Sequence, residues 1–306
     1  MMRRCRSLSV SAPLAALMLV LAALPAVATT VHTATGPVEI AETPERIAVY
    51  DVAAIDTLNA LGVPVAGVPD RLYLPSLAGL AATAEPVGTL FEPDLEALNA
   101  LGPDLVIVGG RSSPQAGHTS RVARTIDMTI DGTALLDQTR QRIADYGALF
   151  GKADAAAARL SELDAQVAAV RAAADGKGDA LIVMTNGPKI SVYGPASRFG
   201  WIHGDLGIPP AADARNAGSH GDAVSFEFIA DADPDWLVVL DRAAAIGTGE
   251  ANALATLDNT LVRGTKAWRD GHVIVLPAAD LYIAAGGASA TMRVLRALED
   301  GFASDQ

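Results

Sequence analysis

Cysteine is almost missing from this 306-residue chain: there is one, Cys5. A disulfide framework is therefore excluded, because a lone thiol has no partner in its own chain. Basic residues are also short, with 23 Lys and Arg against 35 Asp and Glu and a formal net charge of −12. Nucleic acid is a poor partner for such a balance, since duplex binding needs a basic footprint. The sequence contains no Gly-x-Ser-x-Gly elbow, no P-loop and no His-Glu-x-x-His helix. Gly247-Thr-Gly249 lacks the third glycine of a dinucleotide fingerprint. The five histidines, at 32, 118, 203, 220 and 272, are scattered. That scatter argues against a dedicated zinc or manganese site, which needs several ligands converging. His118, His203 and His272 are read as structural or surface residues.

What is present is apolar content. Half the residues are hydrophobic, enough to offset ordering entropy by burial and to exclude intrinsic disorder. The length suits one large domain or two lobes. Residues 1–28 read as an export signal. Arg3, Arg4 and Arg6 precede eleven apolar residues, Leu14 to Leu24, and a small-x-small site at Ala26-Val27-Ala28. Eleven residues are too few to cross about 30 Å of hydrocarbon as a helix. Cleavage there removes three arginines and Cys5, leaving a mature chain from Thr29 with a net charge of −15. No cysteine follows the apolar run, so lipid attachment is not expected. The mature protein is expected to be exported and soluble.

The pattern beyond Thr29 alternates short β-branched runs with helical spacing and Gly/Pro turns, which predicts α/β architecture with mostly parallel sheets. Strands are expected at Arg46–Tyr50, Val63–Val68 and Asp104–Val108, and helices at Val52–Leu61 and Leu95–Leu101. Strand signals vanish from about 133 to 174. There Leu160, Leu163, Val167 and Val170 form one apolar stripe on a helix whose 22 residues, Ala153–Ala174, span about 33 Å. Strand signals return at Ala180–Met184. The expected organisation is an N-terminal lobe over 29–132, a helical bridge over 133–176 and a C-terminal lobe over 177–306.

An internal repeat relates the lobes. Leu95–Arg111 recurs as Phe226–Arg242 at a constant offset of 131, with Glu, Pro-Asp, the last Val and Arg identical. Each copy reads as a helix, a Pro-Asp turn, a buried strand and an arginine where the strand ends. Ligands bind beyond the carboxyl ends of parallel strands, so Arg111 and Arg242 are expected to face whatever lies between the lobes. Pro-Asp before a strand is also ordinary αβ-turn chemistry, and Glu96 and Glu227 are also ordinary dipole-complementing acids near a helix start.

The specific likeness lies in Ile47-Ala-Val-Tyr-Asp-Val-Ala-Ala-Ile-Asp-Thr-Leu58, Pro103–Ile107, Ser197-Arg-Phe-Gly200, Gly218-Ser-His-Gly221 with Ser225–Ile229, and Tyr282. On these the chain resembles the periplasmic ferric-siderophore-binding proteins of ABC importers, in particular the catecholate and petrobactin branch. The resemblance implies a class III periplasmic binding protein: two three-layer lobes joined by one long helix. It implies a ligand-binding set of Arg111, Arg198, Arg242, His220 and Tyr282, with His220 and Tyr282 meeting siderophore-bound Fe(III). It also implies Glu96 and Glu227 as docking residues for a permease dimer.

The resulting expectation is a monomeric, non-enzymatic receptor without an intrinsic cofactor, closing only modestly on its ligand. A haem or corrinoid receptor of the same fold is the alternative, and a secreted enzyme releasing iron from siderophore is the alternative of another class. Taken alone, the residue types leave other readings open. His220 fits a loop, Tyr282 a strand end with its hydroxyl in water, and Arg198 the start of the helix containing Trp201. Tyr50, Phe199 and Trp201 are candidates to line the cleft.

Overall fold

The structure, a computed structural model, describes residues 28–212, 221–248 and 252–304. The export signal, save Ala28, and His220 lie outside the described residues. The chain opens with an antiparallel hairpin, β1 (Thr29–Thr33) and β2 (Gly36–Ile40). Five strands follow in the N-terminal lobe: β3 (Ile47–Val49), β4 (Gly67–Val68), β5 (Glu85–Pro86), β6 (Leu105–Val108) and β7 (Thr125–Asp127). They form one sheet, ordered β5-β4-β3-β6-β7, and every pair is parallel. The strand expected at Val63–Val68 is confined to Gly67–Val68, because Pro64 has no N–H to give a ladder.

The C-terminal lobe contains β8 (Ala180–Asn186), β9 (Lys189–Tyr193), β10 (Asp222–Val224), β11 (Trp236–Asp241) and β12 (Val273–Val275), ordered β10-β9-β8-β11-β12. The two five-stranded sheets are mostly parallel, as expected, and the exception lies in this one. β8, β11 and β12 are parallel, but β9 and β10 run antiparallel. The reason is local: only Gly187 and Pro188 separate Asn186 from its ladder partner Lys189. A two-residue link permits a hairpin, whereas a parallel return needs a crossover of a dozen residues or more.

The interior strands β6 and β11 are buried on both faces, as the continuous apolar runs Leu105–Val108 and Trp236–Leu240 require. Between the two five-stranded sheets lie two helices, Leu135–Leu149 and Ala153–Ala174. The second buries Leu163, Val167 and Val170, with Leu160 half-buried beside them. It lies along the C-terminal helix, Ala288–Ala303, which buries Val294, Leu295, Leu298 and Phe302. That last helix also returns to the N-terminal lobe and packs on its first helix, Val52–Ala60.

The repeat is a shared structural unit. Helix Leu95–Leu101 and helix Phe226–Ala232 both end on a residue in the left-handed region, Gly102 and Asp233. The carboxylate of each Pro-Asp turn then caps the neighbouring parallel strand. Asp104 accepts from the Glu45 and Arg46 amides, and Asp235 accepts from the Asp179 amide. β6 and β11 thus end at the carboxyl edge of their sheets with an arginine just beyond.

Candidate functional site

Tyr282 lies at the centre of the site. It ends a one-turn helix, Ala278–Tyr282, and not a strand as its sequence surroundings suggested. Arg111 follows β6 after Gly109 and Gly110. A side chain at Gly109 would sit 2.8 Å from the Asp51 carboxylate, so only glycine lets this turn pass. Arg198 sits on a tight turn in which the Ser197 hydroxyl donates to the Gly194 carbonyl at 2.7 Å. Arg242 opens helix Arg242–Ile246, whose N-cap Asp241 accepts from the Ala244 amide.

The three guanidinium carbons lie 4.8, 4.8 and 5.7 Å from the Tyr282 ring centroid for Arg111, Arg198 and Arg242. Arg111 Nη2 and Arg198 Nη2 donate to the Tyr282 carbonyl at 2.9 and 3.2 Å. Arg242 Nε donates to the phenol oxygen at 3.0 Å, and its Nη1 donates to Asn186 Oδ1 at 3.2 Å. Four of the five residues expected in the cleft are therefore assembled, and the fifth, His220, is outside the described residues. Among the described residues, none of the three arginines is paired with a carboxylate. Burial in the presence of Arg111 holds the Arg198 guanidinium below its ordinary value.

Burial alone would raise the Tyr282 hydroxyl. The hydrogen bond and charge of Arg242, with the charges of Arg111 and Arg198, outweigh it and bring that hydroxyl below its usual value. Nearby Tyr193 behaves oppositely. It is fully buried against Phe199, ring centroids 4.6 Å apart, and burial pushes it up to about 12.

Two cavities meet at Tyr282 and Arg198. One, of about 520 Å³, extends over the N-terminal lobe past Tyr50, Asp51 and Arg111. The other, of about 650 Å³, extends over the C-terminal lobe past Asn186, Tyr193 and Arg242. Each is in the size range of small-molecule sites. Tyr50 lines the first with its hydroxyl spent on the Val87 carbonyl at 2.7 Å. Phe199 and Trp201, also candidates for the lining, belong instead to the core at 1% exposure each. His203 and His272 are structural: His203 Nδ1 meets the Ile208 carbonyl, and His272 stacks on Trp236 at 4.1 Å. His118 is exposed and meets Gln115.

One pair escaped the sequence reading. Arg142, 3% exposed, lies beside Asp51, 8% exposed, with Nη2 3.1 Å from Oδ2, and both line the N-terminal cavity. Arg142 Nη2 also donates to the Met128 carbonyl. The signal was available. Leu135, Leu136, Thr139, Arg142, Ile143 and Tyr146 form one buried helix face, and a charge in such a stripe is rare unless paired.

Glu96 and Glu227 are both exposed, each the second residue of its helix. Asp94 caps the first helix through the Glu96 and Ala97 amides at 3.0 Å. The Ser225 hydroxyl and a backbone N–H hold the Glu227 carboxyl below its ordinary value.

The family model for periplasmic binding proteins matches residues 47–279. The chain belongs to this family. It is 32% identical to the petrobactin-binding protein YclQ of Bacillus subtilis over 86% of this chain and 84% of that protein. The crystal structure of YclQ superposes with a TM-score of 0.83, covering 90% of this chain and 98% of that one. The ferric-anguibactin-binding protein FatB of Vibrio anguillarum is 32% identical over 88% of this chain and 86% of its own length. The periplasmic catecholate-siderophore-binding protein VctP of Vibrio cholerae superposes at a TM-score of 0.82 with 30% identity, covering 89% of this chain and 99% of that one.

Proposed function

We propose that the chain is a periplasmic receptor that captures a ferric siderophore of catecholate type and hands it to an ABC permease. The observation that carries this reading is Tyr282, with three arginines around its ring and carbonyl that pair with no carboxylate among the described residues. Catecholate complexes of Fe(III) are anionic and planar at their rings. Arginine suits them because its fork donates to paired oxygens while its face stacks on an aromatic ring. Local cations dominate at contact distance, so a chain of net negative charge can hold an anion here.

Fe(III) prefers six ligands, mostly oxygen, and two catechols supply four. The Tyr282 phenolate would take a fifth position, and the arginine charges that lower its hydroxyl favour the ionised form the metal needs. The His220 imidazole would take the sixth. No group in this scheme makes or breaks a covalent bond of the ligand, so the role is binding and delivery, by a monomer, without an intrinsic cofactor. The relatives' names support the ligand class: petrobactin, ferric anguibactin and catecholate siderophores.

Glu96 and Glu227, equivalent in the two repeat copies, would orient the loaded receptor on the two permease subunits. Fixed surface charges of this kind give orientation and steering more than affinity.

The test is a titration with a ferric bis-catecholate, following tryptophan fluorescence and the visible charge-transfer band. The wild-type protein is expected to bind and to shift the band to shorter wavelength. Tyr282→Phe and His220→Ala should each return the band toward the free chelate and weaken binding at least tenfold, about 1.4 kcal/mol. Absence of binding by the wild-type protein would sink the catecholate reading. In cells, joint replacement of Glu96 and Glu227 by alanine should stop uptake and leave the titration unchanged.

A further inference from the structure

Tyr282 is carried by a helix of only five residues that has no side-chain N-cap. A single turn of this length does not hold itself in place. The arginines grip it from the cleft side. Behind it, a second set of contacts ties it to the opposite lobe. Asp280, two residues before Tyr282, accepts from Arg293 Nε at 3.0 Å and Nη2 at 2.7 Å. Arg293 Nη2 also reaches Asp56 Oδ1 at 3.2 Å. Asp56 is 2% exposed and belongs to helix Val52–Ala60 of the N-terminal lobe.

Asp56 has a second task. Its Oδ2 accepts from the Ser289 and Ala290 amides at 2.7 and 2.9 Å, and Thr57 Oγ1 accepts from the Ala288 amide at 3.1 Å. These are the first amides of the C-terminal helix, whose own N-cap residue, Gly287, has no side chain to offer. A side chain there would lie 2.7 Å from Asp56 Oδ2. The cap that a helix ordinarily supplies from its own sequence thus comes from the other lobe. The same carboxylate seats the C-terminal helix and anchors Arg293.

We infer that Arg293 and Asp280 are positioning residues for Tyr282. Through them the N-terminal lobe fixes where the phenol oxygen stands relative to the arginines. Preorganisation of a coordinating side chain by hydrogen-bonded neighbours is how a site holds a metal-bearing ligand at a defined distance. The inference rests on the reading that the Tyr282 oxygen meets the iron.

A binding cycle tests it. Arg293→Met is compared with wild type, and again in the Tyr282→Phe background, using the same ferric bis-catecholate. Asp280→Ala, which leaves the Arg293–Asp56 contact and the helix cap in place, is run in parallel in case Arg293→Met folds poorly. Each variant is expected to weaken binding about tenfold beside Tyr282 and less than twofold in the Tyr282→Phe background, with the charge-transfer band moved toward the free chelate. Arg293→Lys should recover part of the affinity. Equal losses in both backgrounds would overturn the inference and leave a purely structural contact. A Tyr282→Phe protein that binds like wild type would count separately, against coordination by Tyr282.

Discussion

Arg111 and Arg242 occupy the same place in two copies of one structural unit, yet they hold different atoms of one tyrosine. In the N-terminal copy the strand stops at Val108, and Gly109 and Gly110 intervene before the arginine. In the C-terminal copy the strand runs to Asp241 and the arginine immediately starts a helix. Arg111 consequently reaches the Tyr282 carbonyl, whereas Arg242 reaches the phenol oxygen. The repeat delivers a cation to each side of the cleft. The few residues after the strand decide whether that cation fixes the backbone or tunes the oxygen. The lobes differ beneath the cleft too: the N-terminal one adds the buried Asp51–Arg142 pair, while Arg242 leans on the neutral Asn186.

The largest expected effect breaks the comparison at that buried pair. Arg142→Met leaves the Asp51 carboxylate nearly enclosed and uncompensated, which should cost about 3–5 kcal/mol. Urea unfolding should show the loss, and adding Asp51→Asn should recover most of it. A loss below about 1 kcal/mol would mean that water reaches Asp51.

Next comes the arginine pair itself. Arg242→Met removes a charge and the phenol's hydrogen bond together, so ferric chelate binding should fall about a hundredfold, near 2.7 kcal/mol. Arg111→Met removes a charge but leaves Arg198 on the same carbonyl, and should cost about tenfold. Titration of both variants side by side decides this, and equal losses would mean that charge alone matters.

The fold was legible where the chain obeys one period or one punctuation mark. Leu163, Val167 and Val170 gave the long helix, and Pro-Asp with a following apolar run gave β6 and β11. The antiparallel half of the C-terminal sheet was missed, although Asn186–Lys189 is too short for anything but a hairpin. At the site, Arg111 and Arg242 were found by repeat symmetry. Arg198 and Tyr282 came only through family resemblance, since neither neighbourhood has a diagnostic pattern. Tyr282 ends a helix of one turn, too short to leave a period. Arg293, Asp280 and Asp56 were out of reach for a different reason. Asp56 and Arg293 are 237 residues apart, and only the return of the last helix to the first lobe brings them together.

The smallest effect compares two tyrosines of the same site. Tyr193 is buried and Tyr282 half-buried, and Arg242 donates to the Tyr282 oxygen. Its folded value is depressed below the ordinary 10, so the stabilisation it contributes is present above pH 10 and is lost as pH falls through that lower value. Tyr193, raised to about 12 by burial, has the opposite sign: its contribution is complete below pH 10 and is lost as pH rises toward 12. Alkaline titration followed by phenolate absorbance should therefore show Tyr282 ionising early and Tyr193 among the last. Tyr282→Phe should delete the early step, worth one phenol of absorbance. Arg242→Met should move that step up toward 10, and Arg111→Met should move it less. An early step that survives Tyr282→Phe would belong to another tyrosine. The division of labour between the two repeat arginines would then lose its electrostatic half.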